Sequence, residues 1–247
     1  MKNDRSPMQA SSRFAALAAF VRARFASGFL GLHLTAGVAL MACAVFVFGS
    51  IAADVVQKSG IAVLDLQISS WFNANLTPAA TVPLMLITTL HSIPGLLALA
   101  SLFGVWLYRQ GAWHWLLALL IAVPGGMLLN VLLKQVFQRA RPAFDEPLVM
   151  LTTYSFPSGH TSGATFFYGM LAAYIICSAR STLARVVSGL LALLMIALVG
   201  LSRIYLGAHY LSDVLAAVAV GCGWLALTLT AVAPWHARPF YRWGGRA

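Results

Sequence analysis

Charged residues are scarce in this 247-residue sequence: they make up 9% of it, while hydrophobic residues make up 60%. A soluble domain usually carries about 25% charged residues. The chain therefore has too few polar side chains to cover a water-facing core, which excludes a soluble globular enzyme. A mean hydropathy of +0.84 also excludes a disordered chain and indicates a polytopic membrane protein.

Acidic residues and cysteines are both scarce. Six Asp and Glu stand against 16 Lys and Arg, which gives a net charge of +10. In so hydrophobic a chain this excess is typical of loops that set membrane orientation, so we expect no nucleic-acid partner. The three cysteines all fall inside apolar stretches, and their spacing fits neither a metal site nor a disulfide framework.

The apolar runs predict an all-α fold with six transmembrane helices, since each span needs about 20 apolar residues. The predicted spans are 30–53, 83–108 with a bend at Pro94, 113–133, 161–177, 186–201 and 210–232. The stretch 54–81 is polar enough to lie outside the bilayer. We expect a basic N-terminal segment over 1–27 that forms an interfacial helix, a six-span domain over 28–233, and a short basic tail over 234–247.

Lys and Arg are concentrated in the two terminal segments and in the loops on their side of the membrane. The positive-inside rule therefore predicts cytoplasmic termini in a plasma (inner) membrane. The ends of the spans that carry polar residues then meet on the opposite face, towards the periplasm or cell exterior. Charged groups at membrane depth are costly and indicate function. The residues gathered there are Lys134, Arg141, Ser158, His160, Ser202, Arg203, His209 and Asp213.

The cations of this set fit phosphate recognition. Arg141 and Arg203 offer guanidinium forks that match phosphate oxygens, and Lys134 adds a point charge. The Pro-Ser-Gly-His run at 157–160 precedes a predicted helix, and the N–H groups at a helix start can seat an anion.

The histidines of the set fit nucleophilic chemistry. His209 and Asp213 are four residues apart on a predicted helix, so the carboxylate can hold one imidazole nitrogen and leave the other free to attack. His160 supplies a second imidazole that can protonate a leaving oxygen. Together they predict phosphoryl transfer through a phosphohistidine. A cationic cluster with one carboxylate argues against a metal, although Asp145 and Glu146 in the adjoining loop could be recruited to one.

Three motifs resemble those of the type-2 phosphatidic acid phosphatase family of integral-membrane lipid phosphatases. Residues 134–142 match Lys-x6-Arg-Pro, residues 157–160 match Pro-Ser-Gly-His, and residues 202–213 match Ser-Arg-x5-His-x3-Asp. Each motif alone is weak, but three in order with fixed internal spacing are specific. The same signature occurs in vanadium-dependent haloperoxidases and glucose-6-phosphatases, and the low charge and six expected spans favour a lipid phosphatase.

The resemblance implies a role for each motif residue. His209 is the nucleophile, Asp213 orients it, and His160 protonates the leaving group. The residues implied to hold the phosphate are Lys134, Arg141, Ser158, Gly159 and Arg203. The resemblance also implies that the reaction needs no metal or other cofactor.

Residues beside these positions receive secondary interpretations. Ser202 and Pro157 are candidates for a supporting layer around the site. Asn130, one turn before Lys134, either belongs to that layer or forms a hydrogen bond between helices. Arg139 lies outside the signature, and the favoured interpretation is that its side chain snorkels to the membrane interface.

The expected function is hydrolysis of a lipid phosphomonoester or diphosphate in the outer leaflet. Candidate substrates by resemblance are phosphatidic acid, phosphatidylglycerophosphate, undecaprenyl diphosphate and lipid A phosphates. Phosphate transfer to another acceptor is an alternative that uses the same site. Anion transport by the basic cluster is a third hypothesis, but it leaves His160, His209 and Asp213 unexplained.

Overall fold

The computed structural model describes residues 29–145, 147–149 and 151–236, and this part of the chain contains helices but no β-strand. The helices are α1 (Phe29–Gln57), α2 (Ile61–Ala74), α3 (Pro78–Leu90), α4 (Ile93–Arg109), α5 (Trp113–Leu120), α6 (Gly126–Phe137), α7 (Gly159–Ser178), α8 (Thr182–Tyr205) and α9 (Leu211–His236). The all-α prediction is confirmed for these residues. The expected interfacial helix over 1–27 and residues 237–247 of the expected tail lie outside them.

Five helical segments are long and apolar enough to cross a bilayer: 34–57, 113–137, 159–178, 182–205 and 211–232. Helices α3 and α4 are long and apolar enough for a sixth span only when they are taken together. The two helices meet at a bend of 58°. The break lies at His91 and Ser92, just before Pro94, which sits in the first turn of α4 where its missing N–H costs little. Large apolar side chains cover the outside of the bundle, as suits a lipid environment.

Pro124 interrupts the segment 113–137 without ending it. Because proline has no N–H, a regular α-helix would lose a hydrogen bond there, and the chain instead widens into a π-helical turn, Ile121–Gly125. Nε1 of Trp224 in α9 donates to the carbonyls of Ile121 and Ala122, at 3.2 and 3.1 Å. These bonds matter because lipid offers no water to satisfy a freed carbonyl. The segment therefore continues through α6, which carries Lys134 on its last turn.

Helix α7 lies at the centre of the bundle, and residues 161–167 are buried without interruption. Glycines let its neighbours approach closely. A Cβ on Gly126 of α6 would come within 2.6 Å of the Phe166 ring, and one on Gly221 of α9 would clash with the Thr165 side chain. Such small residues allow close packing between membrane helices.

The end of α6, the start of α7, the end of α8 and the start of α9 meet at one end of the bundle. The N–H of Ser158 donates to the Asp213 carbonyl at 3.1 Å, which joins α7 to α9. Helix α2, from the stretch expected outside the bilayer, packs at this end. Its buried Asp65 carboxylate accepts the N–H of Ser212. The sequence prediction that these span ends converge is confirmed by these contacts.

Candidate active site

His209 and Asp213 form a buried pair at the start of α9. Nδ1 of His209 lies 3.2 Å from Oδ2 of Asp213. The same oxygen accepts the backbone N–H of Tyr210 at 3.0 Å and the hydroxyl of Ser155. His209 is 2% exposed and Asp213 is fully buried. One nitrogen of the imidazole is therefore fixed by an acceptor that is itself held in place.

The other nitrogen of His209 faces Arg141. Nη1 of Arg141 lies 3.1 Å from Nε2 of His209 and 2.6 Å from the carbonyl oxygen of Ala208. The rest of the guanidinium donates to the carbonyl and hydroxyl of Thr153 and to the carbonyl of Tyr154. A guanidinium only donates and a carboxylate only accepts. The neutral imidazole therefore carries its proton on Nδ1 and its lone pair on Nε2, the atom that can attack phosphorus.

His209 is held in this neutral form by its surroundings. It lies in the turn between α8 and α9, and burial lowers the pKa of its imidazole from 6.5 to about 3, against the opposing effect of Asp213. The positive charges of Arg141 and Lys134 lower the pKa further. The imidazole is therefore uncharged at neutral pH, as a nucleophile must be.

Arg203 reaches the same place from the end of α8. Its side chain is 2% exposed, Nη1 donates to the Thr88 hydroxyl, and Nε has no hydrogen-bond partner among the described residues. The N–H groups of Ala208 and His209 both donate to the carbonyl of Arg203, at 3.0 and 3.1 Å. Gly207 permits this tight turn at a φ of +67°, a region that suits glycine. The five-residue spacing between Arg203 and His209 thus folds one motif residue back onto the other.

Lys134 lies against the turn formed by the Pro-Ser-Gly-His motif. Its Nζ donates to the carbonyls of Tyr154 and Ser155, at 2.6 and 3.1 Å, just before that turn. Gly159 begins α7 so close to α6 that a Cβ there would lie 3.9 Å from Cε of Lys134 and 3.4 Å from Oδ1 of Asn130. The N–H groups at the start of α7 and the ammonium group therefore face the same region, an arrangement that suits an anion.

Asn130 supports this turn and also joins two helices. Its Nδ2 donates to the hydroxyl of Ser162 in α7 at 3.0 Å and, more weakly, to the carbonyl of Pro157 at 3.4 Å. The bond to Ser162 is the hydrogen bond between helices that the sequence offered as one interpretation of Asn130, and its role in a layer around the site stays a prediction. Pro157 contributes through its carbonyl, as part of the same supporting contact.

The two serines of the motifs take different places. Ser158 is fully buried, and its hydroxyl accepts that of Thr161 at 3.0 Å. Ser202 is also buried, but its hydroxyl donates to the Val199 carbonyl of its own helix at 2.7 Å. Ser202 therefore helps to shape the end of α8, where its carbonyl also accepts the N–H of Leu206 at 3.1 Å.

His160, the second residue of α7, is partly buried and lies within electrostatic range of Arg203, His209 and Arg141. It is the second imidazole that the sequence predicted for this place. It comes from a different element than His209, so the two rings can act on different atoms of one substrate.

The cations of the site fall into two kinds. Arg139 pairs with two carboxylates, Asp213 at 2.6 Å and Asp65 at 2.8 Å. Burial opposes its charge, but these carboxylates outweigh burial and raise the pKa of the Arg139 guanidinium, whereas burial lowers the pKa of Arg141. Three cations have only neutral hydrogen-bond partners within the described ranges: Lys134, Arg141 and Arg203. Because no carboxylate is hydrogen-bonded to them, their positive charges suit a bound anion.

Sequence reasoning missed Arg139 and Asp65. The interpretation of Arg139 as an interface residue is wrong, because its side chain is only 15% exposed and lies between two carboxylates. Asp65 did carry a signal: it is one of six acidic residues and stands between two leucines, Leu64 and Leu66, and a carboxylate buried beside them needs a partner. Nothing in the sequence indicates that Ser155 contacts Asp213.

A metal site would need a cluster of hard or nitrogen ligands. No group of three or more His, Cys, Asp or Glu that could hold a metal occurs among the residues the structure describes. Asp145 is exposed, and Glu146 lies outside the described ranges.

Comparison with known proteins points to one family. Residues 112–237 match the PAP2 superfamily, and this range contains all three motifs. Phosphatidylglycerophosphatase B of Bacillus subtilis (strain 168) is 37% identical over 123 residues, which cover 48% of this chain and 57% of the Bacillus protein. The alignment thus spans little more than half the length of that relative.

Solved structures share the fold. The transmembrane PAP2-type phosphatidylglycerolphosphate phosphatase of Bacillus subtilis superposes with a TM-score of 0.67 at 28% identity, covering 83% of this chain and 98% of that one. LpxE of Aquifex aeolicus superposes with a TM-score of 0.50 at 24% identity, covering 66% of this chain and 94% of that one. The second comparison concerns the fold alone.

Proposed function

Because the chain belongs to the PAP2 superfamily, we propose that it is a metal-independent membrane lipid phosphatase that works through a phosphohistidine. One observation supports this most strongly. The Nε2 lone pair of His209, whose other nitrogen is fixed by Asp213, faces Arg141, and the site holds two more cations, Lys134 and Arg203, that have no carboxylate hydrogen-bond partner in the described residues. Anion transport would use the cations but would not need an imidazole held in one tautomer.

In the first step Nε2 of His209 attacks phosphorus, and the phosphorus–oxygen bond to the lipid breaks as the nitrogen–phosphorus bond forms. His160 gives its proton to the leaving lipid oxygen. Asp213 stabilises the positive charge that develops on the His209 ring. Lys134, Arg141 and Arg203 bind the phosphoryl oxygens. In the transition state the negative charge of the phosphoryl group is spread over these oxygens, and the three cations stabilise it.

In the second step His160, now without its proton, takes one from a water molecule. The resulting hydroxide attacks phosphorus, the nitrogen–phosphorus bond breaks, and inorganic phosphate leaves. His209 returns to the neutral form with its proton on Nδ1. Both steps thus use the same two imidazoles, once as nucleophile and acid and once as leaving group and base.

The substrate class follows from the relatives and from the surface of the bundle. Phosphatidylglycerophosphate is the first candidate, since the curated relative and the solved structure from Bacillus subtilis are both named for its hydrolysis. The apolar exterior of the helices would keep the acyl chains in the bilayer while the phosphate enters the polar end. The excess of Lys and Arg on the side of the two terminal segments supports an outer-leaflet position for this end, facing the periplasm or cell exterior.

The test is phosphate release by detergent-purified protein in EDTA, with phosphatidylglycerophosphate, phosphatidic acid and undecaprenyl diphosphate compared. His209→Ala is the inactive variant. His114→Gln is its matched control, since His114 begins the helical segment that ends beside Lys134, about 30 Å away at 1.5 Å per residue. We expect release that is fastest with phosphatidylglycerophosphate, retained in the control and lost in His209→Ala.

Two results would contradict the proposal. Undiminished release by His209→Ala would remove the nucleophile assignment. Labelled phosphate that moves to a lipid or sugar acceptor, and does not appear as inorganic phosphate, would show a phosphotransferase.

A further inference from the structure

Asp65 of α2 is a buried carboxylate that lies against the first turn of α9. It is 1% exposed. Its Oδ1 accepts the N–H of Ser212 at 2.9 Å, and its Oδ2 accepts the Ser212 hydroxyl and, at 2.8 Å, Nη2 of Arg139. A buried charge is costly unless it is paired and hydrogen-bonded, and both oxygens are occupied here. Asp65 thus fixes the start of α9 and the Arg139 guanidinium relative to each other.

Arg139 connects Asp65 to Asp213. Its Nη1 donates to Oδ1 of Asp213 at 2.6 Å and to the hydroxyl of Ser212 at 2.7 Å. Its guanidinium carbon lies 4.3 Å from the centre of the Tyr210 ring, within the range of a cation–π contact. Each terminal nitrogen therefore serves a different carboxylate. Because the guanidinium is planar and rigid, it holds Oδ1 of Asp213 in one direction.

The other oxygen of Asp213 is the one that contacts His209, at 3.2 Å from Nδ1. The carboxylate is a rigid plane, so a fixed Oδ1 also fixes Oδ2. We propose that Asp65 and Arg139 are positioning residues for the reaction. They orient Asp213 so that its Oδ2 keeps the proton of His209 on Nδ1 and the lone pair on Nε2. This inference rests on the proposed function, which assigns His209 as the nucleophile.

The same contacts argue that Arg139 does not bind the substrate phosphate. Two carboxylates compensate its charge, and an approaching phosphate would meet their negative charges as well. The two roles predict different kinetics. Loss of a phosphate ligand raises KM, whereas a misplaced nucleophile lowers kcat with little change in KM.

The test compares Asp65→Asn and Arg139→Met with Asp54→Asn. Asp54 is the matched control because it also anchors α2, by accepting the N–H of Ile61 at 3.2 Å, but does so at the turn before the helix. With phosphatidylglycerophosphate we expect both test variants to lose about 10- to 100-fold in kcat at a KM near that of the wild type. Asp54→Asn should keep the wild-type kcat.

Two further variants separate positioning from folding. Arg139→Lys keeps a cation between the carboxylates, so we expect a folded protein that recovers part of the lost kcat. The double variant of Asp65→Asn and Arg139→Met should lose no more than the worse single variant, because the two residues act as one unit. If the double variant loses the product of the two single-variant losses in kcat, the two residues do not act as one unit. A raised KM with unchanged kcat in the single variants would also contradict the positioning role.

A spectroscopic measurement tests the inference without turnover. In protein labelled with 15N-histidine, the nitrogen chemical shifts of His209 report which ring nitrogen is protonated. We expect the Nδ1–H form in the wild type and a mixture of tautomers in Asp65→Asn and Arg139→Met. An unchanged Nδ1–H form in both variants would overturn the inference. If the wild-type protein hydrolyses no lipid phosphate but the His209 tautomer changes in the variants, the positioning role is supported and the proposed function is rejected.

Discussion

Nη1 of Arg141 lies 3.1 Å from Nε2 of His209, so the atom proposed to attack phosphorus is a hydrogen-bond acceptor for a cation proposed to bind the phosphate. Attack requires Nε2 to give up this contact. A phosphate oxygen is a stronger acceptor for a guanidinium than a neutral imidazole is, because the bond to it is charge-assisted on both sides. Binding of the phosphate by Arg141 and release of the His209 lone pair are then a single event.

Replacing Arg141 by Ala should therefore damage the reaction more than substrate binding alone would explain. We expect kcat/KM for phosphatidylglycerophosphate to fall by about 10²- to 10³-fold, as for other groups that stabilise transition-state charge. Arg141→Lys should lose less, since it keeps the charge, but it cannot donate to Thr153, Tyr154 and Ala208 together. Steady-state kinetics in detergent micelles measure both variants. A kcat/KM for Arg141→Ala close to the wild-type value would show that Arg141 is not part of the site.

Much of the site could be predicted because its geometry is local or follows from topology. The pairing of His209 with Asp213 follows from their four-residue spacing, although the prediction that both lie on a helix is wrong for His209, which lies in the turn before α9. The meeting of Lys134 with the Pro-Ser-Gly-His turn follows from the alternation of helix directions across a membrane. Neither prediction needed the packing of individual side chains.

The Asp65–Arg139–Asp213 bridge could not be predicted in the same way. Arg139 is 74 residues from each of its carboxylate partners, and no helical or turn spacing connects them. The bridge depends on how α2 packs against the start of α9, which is a tertiary contact. The sequence likewise predicts only a bend between α3 and α4, because Pro94 indicates where α4 starts but not the angle between the two helices.

The stability of the protein should depend on pH through His209. Its pKa of about 3 in the folded protein lies below the ordinary 6.5, so the unfolded chain binds a proton that the folded protein does not. The stabilisation is complete above pH 6.5 and is lost as pH falls towards 3, by about 2 kcal/mol at pH 5. Thermal unfolding of the wild type and His209→Gln at pH 7 and pH 5 should show a larger fall in Tm for the wild type. An equal fall in Tm for the two proteins would mean that the pKa of His209 is not lowered by folding.

The close approach of α6 to α7 should make Gly126 sensitive to a single methyl group. A Cβ there would meet two atoms of the buried Phe166 ring at 2.6 Å, whereas a Cβ on Gly189 of α8 would meet nothing within 4 Å. We expect Gly126→Ala to destabilise the protein by about 1–3 kcal/mol through overpacking. Gly189→Ala is the matched control and should keep or raise Tm, because alanine favours a helix. Similar Tm values for the two variants would contradict the packing of α6 on α7.

The identity of the phosphorylated residue tests the account most directly. Protein mixed briefly with phosphatidylglycerophosphate and quenched in alkali, where phosphohistidine survives, can be digested and mapped by tandem mass spectrometry. The account predicts one phosphoryl group on His209 in the wild type and none in His209→Ala. A phosphoryl group on His160 would contradict the assigned roles, and phosphate release by a wild-type enzyme that never carries a phosphoryl group would contradict the phosphohistidine mechanism itself.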